Sequence, residues 1–130
     1  MRETFKKGER LTGKDAIATL FRDGVRMRAE PFKVVWRFSE SPEPEPVRIL
    51  IIVPKSLFPR AVDRNLIRRR IREAYRKTKG ELPETMTSLN RTLYLAISYQ
   101  ESQILDYKEI TGKIIVLLHR LNERIKKSTG

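Results

Sequence analysis

The strongest constraint on how this chain can fold is the run from Asp63 to Lys79, DRNLIRRRIREAYRKTK, in which arginines and apolar residues interleave at helical spacing. On a helix at 100° per residue, Arg64, Asn65, Arg68, Arg69, Arg72 and Arg76 fall within an arc of about 140°. Ile67, Ile71, Ala74 and Tyr75 fill a second arc of about 100°, expected nearly opposite. Such a helix must pack one side on a core and leave the other to water or to a polyanion. Between Lys55 and Lys79 ten basic residues meet only two acidic ones, Asp63 and Glu73, so eight of the twelve surplus positive charges of the chain lie there. A solvated surface helix would interleave glutamates for i,i+4 pairing, and only Glu73 can serve. Guanidinium forks match phosphate oxygens in pairs, and a row repeating at i and i+4 can follow a phosphate backbone. The expected partner is a nucleic acid.

The 130 residues suffice for one domain with a core that needs no metal or disulfide. Residues 1–130 are read as a single RNA-binding domain, with 1–10 and 126–130 expected to be flexible. The chain has no cysteine, which excludes thiol catalysis and zinc knuckles and suits a reducing, cytoplasmic setting. No apolar h-region opens it, and no stretch approaches the roughly 18 apolar residues of a membrane span.

Along the chain, Thr12 with Asp15 resembles a capping box, and Ala16, Ile17, Leu20 and Phe21 mark a first helix ending at Gly24. Residues 31–38 alternate, with Phe32, Val34, Trp36 and Phe38 on one side and Lys33, Val35 and Arg37 on the other, which predicts a strand. SPEPEP, residues 41–46, reads as a hairpin loop whose glutamates solubilise. Residues 47–53 suit a central strand covered on both faces. Asp63 is a plausible N-cap for the arginine helix. Residues 81–90 read as a polar loop, 92–98 as a buried strand, and the stripe Tyr107, Ile110, Ile114, Leu117, Leu118, Leu121 and Ile125 as a long last helix. The result is an α+β class, a single-domain sandwich in which helices cover a sheet. A parallel pairing across the arginine helix would make a βαβ crossover, right-handed by the general rule.

A nuclease of this size would need metal-binding carboxylates or an acid–base pair built on histidine. The single histidine, His119, follows Leu117 and Leu118 and reads as structural. The carboxylates form no HxE, DxD or ExxH pattern. No catalytic and no metal-ligating residue is expected on the protein.

The arginine segment, RNLIRRRIREAYR from Arg64 to Arg76, resembles the motif RNRIKRxIRExxR of the protein subunit of bacterial ribonuclease P, and ERLTGKDAIATLFRDG is similar to that family's opening helix. The resemblance extends from about Phe5 to Arg124. It implies a four-stranded sheet with three helices in the order αβββαβα, a ribosomal protein S5 domain 2-like sandwich with a left-handed crossover. It implies a ribonucleoprotein whose RNA subunit cleaves the 5′ leader from precursor tRNA, with magnesium ions at the RNA and none tightly bound by the protein. Its partners would be ribonuclease P RNA and precursor tRNA, with no membrane and no obligate protein partner.

Carried onto this sequence, the resemblance assigns the RNA subunit to Lys55, Arg60, Arg64, Asn65, Arg68, Arg69, Arg70, Arg72 and Arg76. It assigns the leader to Ile17, Phe21, Lys33, Val35 and Arg37. Two departures stand out. Leu66 occupies a position where the family has arginine, and Arg70, one turn on, is expected to supply the missing guanidinium from about 6 Å along the helix. Ile17 and Val35 stand where aromatic residues are common. Base stacking contributes about 1–3 kcal/mol per base, so leader contacts should weaken or move to Lys33 and Arg37. The alternatives are another structured-RNA-binding module, such as a ribosomal protein, and a basic helix lying on anionic lipid. The last conflicts with the demand of Ile67, Ile71 and Tyr75 for burial.

Overall fold

The computed structural model describes residues 7–129. The elements are α1 (Lys14–Asp23), β1 (Val25–Ala29), β2 (Phe32–Phe38), β3 (Val47–Ile52), α2 (Ala61–Thr78), α3 (Leu82–Ser88), β4 (Leu93–Tyr99) and α4 (Tyr107–Thr129), preceded by a 3-10 turn (Lys7–Glu9). The sheet order is β1-β2-β4-β3, antiparallel except for β3 beside β4. Residues 53–92, containing α2, are therefore the crossover between parallel neighbours.

Alternation along the strands decides which face each helix covers. Phe32, Val34 and Trp36 of β2 join Leu93, Leu95 and Ile97 of β4 and Ile49 of β3 in the main core, closed by Ile67, Ile71, Ala74 and Tyr75 of α2 and by the apolar stripe of α4. The opposite face carries a smaller cluster, Val35 and Ala96 under Leu20 of α1, with Leu11 beside them. The layers are thus α1, the sheet, then α2 and α4.

The helix count differs from the expected order by α3. Pro83 stands in its first turn, where a missing N–H costs nothing, and Leu82 and Met86, one turn apart, are both buried. Residues 39–46 are not a hairpin loop, because β4 lies between β2 and β3. They cross the start of β4, where Ser39 N donates to Thr92 O at 2.9 Å and Leu93 N to Pro46 O at 2.9 Å. Glu43 is also more than solubilising: it accepts from Arg48 Nη1 at 3.0 Å and from the Tyr94 hydroxyl. That bond and burial push the Tyr94 phenol up, burial contributing most.

β3 is an edge strand rather than a central one. Its outer side is covered by residues 7–12, of which 7–10 were expected to be flexible: Arg10 bridges Ile49, and Leu11 N donates to Ile49 O at 2.8 Å. Glu9, buried, pairs with Lys79 at 2.7 Å and so ties this strap to the end of α2. The expected flexibility of residues 1–6 and 130 lies outside the described residues. At the C-terminus, α4 continues through 126–129. Among the described residues no helix is long and apolar enough to cross a membrane.

Candidate nucleic-acid interface

α2 begins at Ala61, two residues before the expected N-cap. Asp63 lies in its first turn, 3.7 Å from Arg60, where a carboxylate complements the helix dipole. The arginine and apolar arcs adjoin rather than oppose. At 100° per residue Arg64 falls between Ile71 and Tyr75, and its half-buried guanidinium turns back to donate to Phe58 O at 2.8 Å and Pro59 O at 2.7 Å.

This adjacency seats Arg68 and Arg72 beside the core, against β3. With Arg10 and Thr12 of the strap they line a cleft of about 220 Å³ in which no carboxylate takes part. Burial, then the charges of Arg10 and Arg68, lower the pKa of Arg72 from its ordinary value. Arg68 also donates to Asn65 Oδ1 at 3.1 Å, which sets the two side by side. Arg69, Lys55 and Arg60 are exposed. Arg76 is engaged by Glu73, and that hydrogen bond is the main reason the Glu73 carboxyl titrates below its usual range.

Arg70 departs from expectation. Its Nη1 donates to Leu105 O at 2.7 Å, and the Tyr99 hydroxyl accepts from Leu105 N at 3.1 Å, so Arg70 helps fix the approach to α4 rather than standing in for an arginine at Leu66. Arg70→Leu is accordingly expected to lower stability by about 1 kcal/mol in chemical denaturation and to change affinity for the RNA subunit little. An affinity loss of about tenfold at unchanged stability would restore the compensating role.

On the opposite face Thr12 is no capping residue, since Gly13, with φ 99°, precedes α1 without a side-chain cap and Thr12 Oγ1 lies 3.5 Å from Arg48 Nη2. Ile17 and Phe21, one turn apart, are half-buried along one flank of α1, and Lys33 is exposed on the same sheet face. Val35 is buried beneath the end of α1, so it serves as floor rather than as a stacking surface. Arg37 does not join this group. It lies 3.6 Å from Asp23 and lines, with Asp15, Glu40 and Glu43, a cavity on the other flank of α1. Two residues the sequence reading passed over, Arg26 and Arg28 of β1, line a groove of about 370 Å³ with Lys33 and Val35. Arg26 Nη2 donates to Phe21 O at 2.7 Å. The alternation VRMRA was the signal for them. His119 is exposed on α4.

Comparison with known proteins places this geometry. A family model described as Ribonuclease P matches residues 5–122. The ribonuclease P protein component of Porphyromonas gingivalis is 32% identical over 124 residues, covering 94% of this chain and 89% of that protein. That of Chlorobaculum tepidum is 41% identical over 83 residues, 62% of this chain and 54% of its own length. The solved structure of the RNase P protein from Thermotoga maritima superposes with a TM-score of 0.68 at 23% identity, over 86% of this chain and 96% of that one. The expected sandwich is the fold these proteins share, and another structured-RNA module is not favoured. The chain belongs to the ribonuclease P protein family, whose members are accessory subunits of a tRNA 5′-processing endoribonuclease that carries its catalysis in RNA.

Proposed function

We propose that the chain, as the protein subunit of ribonuclease P, seats the arginine side of α2 on the RNA subunit and holds the 5′ leader of precursor tRNA beside α1. The observation that carries this reading is the placement of two basic surfaces at opposite edges of the sheet, one at β3 and one at β1. Arg68 and Arg72 lie with the layer of α2, while Arg26, Arg28 and Lys33 lie on the face that α1 covers only in part. A protein with one basic surface could hold one RNA; this one can hold two strands at once. In this reading the magnesium ions reside on the RNA, whose phosphates suit a hard cation that keeps most of its waters. What the protein supplies is position and charge: it fixes the leader relative to the RNA subunit and offsets phosphate repulsion between the two, so that less magnesium is needed.

The test replaces Arg68 and Arg72 together by Ala. Neither is in the buried set, so circular dichroism should be unchanged. Two lost phosphate contacts should flatten the dependence of log affinity for the RNA subunit on log salt by about 1.4–1.8. An unchanged slope would mean that α2 faces something other than the RNA.

A further inference from the structure

We infer that the leader leaves the protein along β1, over Arg26 and Arg28, and that this chain grips it there by its phosphates rather than by its bases. The inference rests on the leader reading above and adds to it a direction and a chemistry. α1 divides its face of the sheet into two unlike halves. On one flank the cavity beside Asp15 and Thr19 is rimmed by Glu40 and Glu43, with Arg37 drawn to Asp23. Carboxylates there repel a polyanion. On the other flank are Ile17 and Phe21, and beyond them the groove of Arg26, Arg28 and Lys33.

The register sharpens the argument. Arg28 stands directly across from Lys33, a like-charge cross-strand pair that destabilises a sheet unless an anion bridges it. Both are exposed, and the acidic partner that the structure gives either of them is Glu30, 2.8 Å from Arg28 in an exposed pair. Arg26, facing Val35, is held to the end of α1 through the Phe21 carbonyl, so the basic groove begins where the apolar flank of α1 ends. The groove offers guanidinium and ammonium groups and no aromatic ring, which suits phosphates and leaves base identity unread.

The experiment uses the reconstituted holoenzyme and precursor tRNAs with a short or a long leader, titrated with salt. For the unmodified protein the long leader should bind more tightly and with the steeper salt slope. Arg26→Ala with Arg28→Ala should remove most of that advantage, with a fall of about 1.4 in the long-leader slope at about 0.7 per contact, while short-leader binding and assembly with the RNA subunit stay unchanged. Arg28→Ala alone, which disturbs no bond to α1, should give about half the effect and covers the case in which the double variant is unstable. Changing the base sequence of the long leader should alter affinity less than twofold, well under the tenfold that 1.4 kcal/mol represents. If both variants keep the full long-leader advantage, the path along β1 is wrong. If the unmodified protein confers no leader advantage, the leader reading itself fails.

Discussion

Ile71→Ala is expected to destabilise the protein by about 2–5 kcal/mol, a large share of the roughly 5–15 kcal/mol that holds a domain of this kind together. Ile71 is fully buried where α2 meets the sheet and α4, among Ile67, Ala74 and Tyr75. The neighbouring side chain, Arg72, lines the open cleft instead. The pair therefore separates two properties carried by one helix. Ile71→Ala should shift the denaturation midpoint strongly and, at a temperature where the variant is still folded, leave the salt slope of RNA binding intact. Arg72→Ala should do the reverse, losing about one phosphate contact with little change in midpoint. Equal effects of both substitutions on the midpoint would show that Arg72 belongs to the core.

The second large effect concerns α1. Gly24 follows α1 with φ −71°, a conformation open to any residue, so the constraint on it is space. A Cβ would stand 2.4 Å from Leu20 O and 2.5 Å from Val35 Cγ1. Gly24→Ala must push the end of α1 off the sheet, at about 1–3 kcal/mol for the strained packing, and Phe21 and the Arg26 contact move with it. Precursor binding should fall while affinity for the RNA subunit holds, because α2 packs on the other face. A variant as stable as the parent and equally good with precursor would mean that the seat of α1 does not matter to the leader.

The parts legible in the sequence were those in which one periodicity ruled. α2, α4 and β2 each carry an uninterrupted helical or alternating pattern and β4 a short apolar run, and the structure forms each of these elements. The failures came where a residue answers to a partner distant in sequence. Nothing local says that β4 inserts between β2 and β3, so residues 47–53 read as central and 41–46 as a hairpin. Thr12 and Asp63 have the chemistry of caps, yet Thr12 lies against Arg48 and α2 begins two residues before Asp63. The arginines misled at two positions: a helical wheel records angle but not length or destination, and Arg64, at the start of the row, and Arg70, outside its arc, bend to backbone carbonyls of Phe58, Pro59 and Leu105. Lys33 was legible as exposed; Arg37, of the same alternation, was claimed by Asp23.

The two borders of the sheet are guarded by different means, and this bears on how the polypeptide behaves before its RNA arrives. β3, VRILII, would be an invitation to edge-to-edge aggregation were its free side bare; Arg10 and Leu11 occupy that side, so the chain shields its stickiest segment with itself. β1, at the other border, carries Arg26 and Arg28, whose charge deters a second copy from docking there. The same two cations that would welcome a nucleic acid thus discourage self-association.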